Sequence, residues 1–157
     1  MEPDTKTIGL ISDTHGLLRQ SAVEALKGVD FIIHAGDIDF SGLLAQLKQL
    51  APVHAVLGNM DKHKGLRHLP PFDIIEAGTK HIGVIHDLYQ LDLDPAAAGI
   101  SVVVHGHSHR PSIEEKNGVL FINPGSAGPR RFKLPISIGF LYVAGGCFTP
   151  EILELKE

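Results

Sequence analysis

The sequence predicts an α/β fold of two mixed sheets flanked by helices, carried by one domain over residues 1–157. Three observations lead there. The first third alternates short apolar runs with amphipathic stretches, the pattern of a parallel βαβαβ unit. The second half changes to a succession of strand-like runs, which calls for a mixed or antiparallel portion. With 43% apolar and only 20% charged residues in 157, the chain can bury a sizeable core, so disordered and fibrous classes are excluded.

Taken in order, residues 7–12 read as a strand, followed by Leu18, Ala22, Ala25 and Leu26 at helical spacing up to Gly28. Residues 31–34 repeat the strand pattern. Ser41 is expected to cap a helix whose Leu43, Leu44, Leu47 and Leu50 share one face, and 53–57 form a third strand. Further runs lie at 72–76, 81–86, 101–105, 112–116, 119–123, 136–143 and 148–155. Asn117-Gly118 has the residues of a type I′ hairpin turn, and Gly145-Gly146 marks a second hairpin. Asp94-Pro95 before three alanines predicts the start of a short helix. No repeat or low-complexity linker divides the chain.

Composition narrows the partners. Fourteen Lys+Arg against 18 Asp+Glu give a net charge of −4, which argues against long nucleic acid as the main ligand. No apolar run approaches the roughly 18 residues of a membrane span, and the opening MEPDTKTIGLIS lacks the basic and apolar regions of an export signal. A cytoplasmic setting is therefore expected, without a membrane partner. Self-association is left open by the sequence. The lone Cys147 excludes an internal disulfide and a thiolate zinc site, whereas ten histidines are available. Any bound metal must use imidazole and oxygen.

Ligands of open α/β sheets gather beyond the carboxyl ends of the strands. Here five such ends carry metal-competent or polar groups: Asp13-Thr14-His15, Gly36-Asp37, Gly58-Asn59, His86, and His105-Gly106-His107-Ser108-His109. Singly, an Asp after a strand is as readily a cap, and Gly-Asp or Gly-Asn an ordinary turn. Together they match what two divalent cations roughly 3.5–4 Å apart require, a bridging carboxylate and several further ligands each. Asp13, His15, Asp37 and His109 suit one ion, and Asp37, Asn59, His86 and His107 the other, with Asp37 shared. The mixed nitrogen and oxygen set favours Mn²⁺, Fe, Zn²⁺ or Ni²⁺ over Ca²⁺ and Mg²⁺. Manganese is placed first among them.

In that order, Asp13-x-His15, Gly36-Asp37, Gly58-Asn59-x-Asp61, His86 and Gly106-His107-x-His109 resemble the calcineurin-like metallophosphoesterase superfamily, in particular its small YfcE-type phosphodiesterases. Asn123-Pro124-Gly125-Ser126 resembles a loop of those short members. The resemblance spans nearly the whole chain. It implies a four-layer α/β/β/α sandwich, a binuclear centre holding the seven ligands above with Asp37 as bridge, and hydrolysis of small phosphodiesters by a hydroxide bridging the metals. Asn59 would also stabilise charge on the phosphoryl oxygens, and Asp61 would orient a neighbouring group.

Departures from the family pattern matter too. Many members carry a histidine after Gly-Asn that assists the leaving group, but Met60 stands here, which leaves His63 as the candidate proton donor. Asp87 follows His86 where glycine is common. His34 and His105 read as packing residues near the site, and His54, His68 and His81 as structural or surface residues. Two basic clusters, 62–68 (KHKGLRH) and 129–133 (PRRFK), follow site loops, which nominates Arg130 and Arg131 for substrate binding.

The rival reading from another class is a protein-interaction scaffold of the retromer-subunit type, in which the pocket has lost ligands; all seven positions are competent here. A dinucleotide-binding module would need Gly-x-Gly-x-x-Gly after the first strand and is excluded by Asp13-Thr14-His15-Gly16. A metallo-β-lactamase-type motif fails because His109 is followed by Arg110.

Overall fold

The computed structural model describes residues 5–62 and 65–156. In chain order the regular elements are β1 (Thr5–Ile11), α1 (Gln20–Leu26), β2 (Phe31–His34), α2 (Ser41–Lys48), β3 (Val53–Ala55), β4 (Phe72–Ala77), β5 (Lys80–Ile85), β6 (Val102–Val104), β7 (Ser112–Lys116), β8 (Val119–Asn123), β9 (Ser137–Ala144) and β10 (Cys147–Glu154). They form two five-stranded sheets, ordered β10-β9-β1-β2-β3 and β4-β5-β6-β8-β7. In the first, β1, β2 and β3 are parallel, as the βαβαβ pattern predicts, while β9 runs antiparallel beside β1 and β10 antiparallel beside β9. The second has the parallel set β5, β6 and β8, with antiparallel edges β4 and β7.

Alternation along the strands assigns the faces. In β1, Ile8 and Leu10 join Ile33, Val84, Val104, Ile122 and Leu141 in the core between the sheets. Ile11 and Ile32 turn the other way, against Leu26 of α1 and Leu43 and Leu47 of α2. Each such side chain, when fully buried, contributes roughly 1.5–3 kcal/mol. The outer face of the second sheet has a thinner cover. There Leu88 and Leu91, in and just after a 3-10 turn at Leu88–Gln90, pack with Ile85, Ile100, Val103 and Val119.

Two local expectations are corrected. Residues after Asp94-Pro95 form turns rather than a helix: Asp94 Oδ1 accepts from the Ala96 N–H at 3.1 Å and the Asp94 carbonyl from Ala98 at 3.0 Å. Gly99, with φ 78°, ends the segment before a second turn can repay the cost of nucleation. Ser41 is the first helical residue of α2; the cap position belongs to Phe40, with extended backbone and no side-chain cap. Both hairpins form as expected. Asn117 and Gly118 have φ of 53° and 78°, and Gly145 and Gly146 have 57° and 83°, positive at both central positions as a type I′ turn demands. Among the described residues, no helix is long and apolar enough to cross a membrane.

Candidate metal centre

The parallel strands of both sheets deliver their ends to one rim. β1 ends at Ile11 and β2 at His34, in register as neighbours, and the turns beyond them carry Asp13, His15 and Asp37. β5 and β6 do the same from the second sheet for His86 and for the 105–109 loop. Five candidate ligands converge in two overlapping groups: Asp13, His15 and His109, and Asp13, Asp37 and His86.

Asp13 Oδ1 lies at the middle. It is 3.9 Å from His15 Nε2, 3.8 Å from His86 Nε2 and 3.5 Å from His109 Nε2. It is buried and, among the described residues, accepts no hydrogen bond, and the buried His109 Nδ1 likewise has no hydrogen-bond partner among them. Such orphaned polar atoms cost about 1–3 kcal/mol each unless something compensates them. A carboxylate oxygen facing three imidazole nitrogens is a donor set that fits a divalent transition metal. Asp37 Oδ2 reaches toward both histidine sides, 3.7 Å from His15 Nε2 and 3.1 Å from His86 Nε2. His15 and His109 stack with ring centroids 5.3 Å apart.

The other expected residues flank this cluster. Asn59 is exposed and shares a small cavity with His86 and Asp87. The exposed His107 ring packs edge-on against His86 and has Nε2 4.0 Å from Asp87 Oδ2. His107 and Asn59 thus border the tight groups without joining the close-packed nitrogens and carboxylates. His63 lies outside the described residues.

The backbone at the site is held in an unfavourable conformation. Asp13, His15, Asp37, His107 and His109 all have left-handed φ, between 45° and 73°. Each such residue costs on the order of 1 kcal/mol or more, so surrounding bonds must hold it. Asp61 supplies the largest set. Its buried carboxylate accepts from the backbone N–H groups of Asp37 (2.9 Å), Ile38 (2.7 Å), Asp39 (2.8 Å) and Gly58 (2.8 Å). These contacts of Asp61 are all to backbone and hold the two loops together. A Cβ at Gly58 would collide with the Asp37 N–H, so glycine is required for the two loops to approach.

A second strap joins the sheets. Asn123 donates through Nδ2 to the Gly106 carbonyl and to Ser108 Oγ, both at 3.1 Å, and Ser126 Oγ donates to the Asp13 carbonyl at 3.0 Å. The His107 N–H and Ser12 Oγ both donate to Asp13 Oδ2, at 3.1 and 2.8 Å. A Cβ on Gly106 would strike Ser12 Oγ and approach Asp13 Oδ2 to 2.7 Å. Sequence reasoning passed over Ser12, although a hydroxyl ending an apolar run was a usable signal.

Electrostatics separate the groups. Burial raises the Asp13 carboxyl, against the pull of nearby His86 and the Ser12 hydrogen bond. For Asp37 burial is again the largest influence, but His86 and the Met60 N–H, at 2.8 Å from Asp37 Oδ1, outweigh it and hold the carboxyl down to about 2. Burial depresses His86, yet Asp37 and Asp13 together raise it. Burial, then Arg131 and His15, lower His109 to about 4. Arg131 is thus close enough to act on the centre, while Arg130 Nη1 donates to the Leu134 carbonyl at 3.0 Å and closes its own loop.

His34 is a buried packing residue, as expected, whereas His105 is half-buried and lines a cavity beside the site. His34 accepts from the Gly36 N–H through Nδ1 at 3.1 Å, which leaves Nε2–H to donate to Thr14 Oγ1 at 3.0 Å. Complete burial, reinforced by His86, lowers it to about 3. Burial lowers His105 to about 4.

Known proteins share this architecture. The model of the calcineurin-like phosphoesterase superfamily domain matches residues 7–146. A probable metallophosphoesterase of Methanothermobacter thermautotrophicus is 35% identical, over 94% of this chain and 91% of its own. The solved structure of an archaeal phosphodiesterase aligns with a TM-score of 0.78 at 27% identity, covering 94% of this chain and 99% of that one. Vacuolar protein sorting 29 of Cryptosporidium parvum shares the fold, with a TM-score of 0.76 at 20% identity over 98% of this chain and 99% of that one. With its motifs gathered at one rim and the family match running from the first strand to the last hairpin, the chain belongs to the calcineurin-like phosphoesterase superfamily.

Proposed function

We propose that the protein is a metal-dependent phosphodiesterase of the small YfcE type, hydrolysing small phosphodiesters at a binuclear centre formed by Asp13, His15, Asp37, Asn59, His86, His107 and His109. The observation that carries this reading is Asp13 Oδ1, a buried carboxylate oxygen without a hydrogen bond among the described residues, amid three imidazole nitrogens. Divalent cations held there, Mn²⁺ foremost and Zn²⁺, Fe or Ni²⁺ as alternatives, would supply an activated water and neutralise phosphoryl oxygens.

The chain's own residues set the geometry. Asp37 faces both histidine sides, so its carboxylate would be the one shared between two ions. The Asn59 carboxamide, exposed at the rim, donates to a phosphoryl oxygen as charge develops on it. Asp61 fixes the Asp37 and Gly58 backbones so that these side chains keep their spacing. Arg131 attracts the phosphate. Met60 cannot donate a proton, so that role is assigned to His63 by its sequence position. The lone cysteine and the chemistry of the site suit a cytoplasmic enzyme.

The test is to strip the full chain with a chelator, reconstitute it with Mn²⁺, Zn²⁺, Ni²⁺ or Mg²⁺, and measure metal content and hydrolysis of bis(p-nitrophenyl) phosphate. Two metals per chain and restored turnover are expected. Asp37→Asn should lose metal and lower kcat/KM by at least about a hundredfold. An Asp37→Asn protein with two metals and full turnover refutes the bridging role. A wild-type chain that binds metal yet never hydrolyses mono- or diesters supports the scaffold reading instead.

A further inference from the structure

Beside the metal centre lies a cleft that the chemistry above does not use. A cavity of about 360 Å³ begins at His107 and Asp87 and passes Tyr89 and His105 to Glu114 and Lys116 on β7. Leu88, His105, Glu114 and Lys116 also line an adjoining cavity of about 260 Å³, together with Phe121. The first alone is within the range of small-molecule sites, roughly 300–1,000 Å³.

Tyr89 stands at its mouth with 97% of its surface exposed. A tyrosine left so bare buries none of its apolar ring on folding, and so keeps a whole face for something else. Its backbone is not loose. The Tyr89 N–H donates to Asp87 Oδ1 at 3.1 Å, while Asp87 Oδ2 faces His107 Nε2 at 4.0 Å, so one carboxylate ties the tyrosine's turn to the metal-centre histidine. Leu88 and Phe121 supply an apolar floor. The edges are polar and of both kinds: the His105 imidazole, and the Glu114 carboxylate 3.5 Å from the Lys116 ammonium. Glu114 and Lys116 are exposed and stay solvated whatever binds, but they and His105 offer a donor, an acceptor and an imidazole that an alkyl chain would not use. A flat group with alternating donors and acceptors on its edge satisfies ring, floor and rim together.

We propose that this cleft is the subsite for a nucleoside substituent of the phosphodiester, with the base stacked on Tyr89 and its edge read by His105, Glu114 and Lys116. The proposal rests on the phosphodiesterase reading, because the phosphate must sit at the metal centre for the base to reach the cleft.

The experiment compares adenosine 5′-monophosphate with methyl phosphate, which share the phosphate and differ in the substituent, by calorimetric titration of the Mn²⁺-reconstituted full chain. The nucleotide is expected to bind at least about tenfold more tightly, as base-on-aromatic stacking elsewhere indicates. Tyr89→Ala should weaken the nucleotide by about tenfold and move methyl phosphate by less than about twofold, with Tyr89→Trp restoring the difference. Equal affinities in the wild type, an equal loss for both ligands in Tyr89→Ala, or no recovery in Tyr89→Trp overturns the proposal. Hydrolysis separates it from the reading beneath it. If the nucleotide preference depends on Tyr89 but no diester is cleaved, the subsite stands and the hydrolase falls; if diesters are cleaved without any such preference, the reverse holds.

Discussion

Single residues at this site are strained and then restrained. Five candidate ligands occupy left-handed backbone, a region that asparagine, aspartate and histidine tolerate better than most residues, and the carboxylate of Asp61 and the side chains of Asn123 and Ser126 hold the loops there. Residue detail also separates two neighbours that the sequence treats alike. Arg130 is committed to the Leu134 carbonyl, whereas Arg131 projects its charge onto His109. Arg131→Ala is therefore expected to raise KM for bis(p-nitrophenyl) phosphate about three- to tenfold with little change in kcat, and Arg130→Ala to change neither by more than about twofold. Steady-state kinetics of the two variants decide it, and equal behaviour of the pair would remove Arg131 from the site. Nothing in the basic run 129–133 distinguishes them, because the choice depends on a turn that brings Arg130 back onto its own loop.

At the scale of elements, the end of β2 links the first two site loops through one neutral imidazole. His34 joins the Gly36 N–H to the Thr14 hydroxyl and does not protonate in the folded state until about pH 3. Unfolded, it takes up a proton near 6.5. Between those values the unfolded state holds the extra proton, so the His34 contribution to stability is complete above pH 6.5 and declines as pH falls toward 3. From pH 7 to 5 the loss amounts to about 2 kcal/mol. Chemical denaturation of the metal-free chain with chelator present should show wild type losing about that much more than His34→Gln over the same interval. Parallel slopes would mean that His34 is solvated. His105, lowered to about 4 by burial, acts in the same direction and is common to both proteins. The elements themselves were legible because apolar runs and period-3.6 patterns express burial directly: β2 and β8 begin and end where the apolar runs do, while the exposed edge strand β7 was bounded by the Asn117-Gly118 turn. The Asp94-Pro95 segment was misread because cap residues announce a start, while a helix also needs length and a face to bury. His34 read only as packing, since its two bonds go to loops distant in sequence or shaped by tertiary contacts.

The whole molecule is two sheets that share one core and one rim. The strand-end residues were legible as a set because parallel strands must deliver their carboxyl ends to the same side. What could not be read was the state of that rim, where Asp13 and Asp37 are gathered with three imidazoles while Asp13 Oδ1 has no hydrogen bond among the described residues. Burial raises one carboxyl and His86 helps to hold the other down, so the site stores unmet charge and orphaned atoms that a divalent cation would satisfy. Because those groups are far apart in the chain, the unfolded state cannot match the site, and binding should appear as folding stability. At a free metal concentration a hundred times Kd the gain is about 2.7 kcal/mol per site. For a domain of this length that corresponds to a rise in Tm of roughly 5–11 °C. Calorimetric melts of the chelator-treated chain, before and after Mn²⁺ is added, should show this rise, and Asp37→Asn should lose most of it. A Tm that Mn²⁺ leaves unchanged would mean that the carboxylates and imidazoles are neutralised by one another, as His86 and Asp37 at 3.1 Å already begin to be, and that the rim is a structural ion network instead of a metal centre.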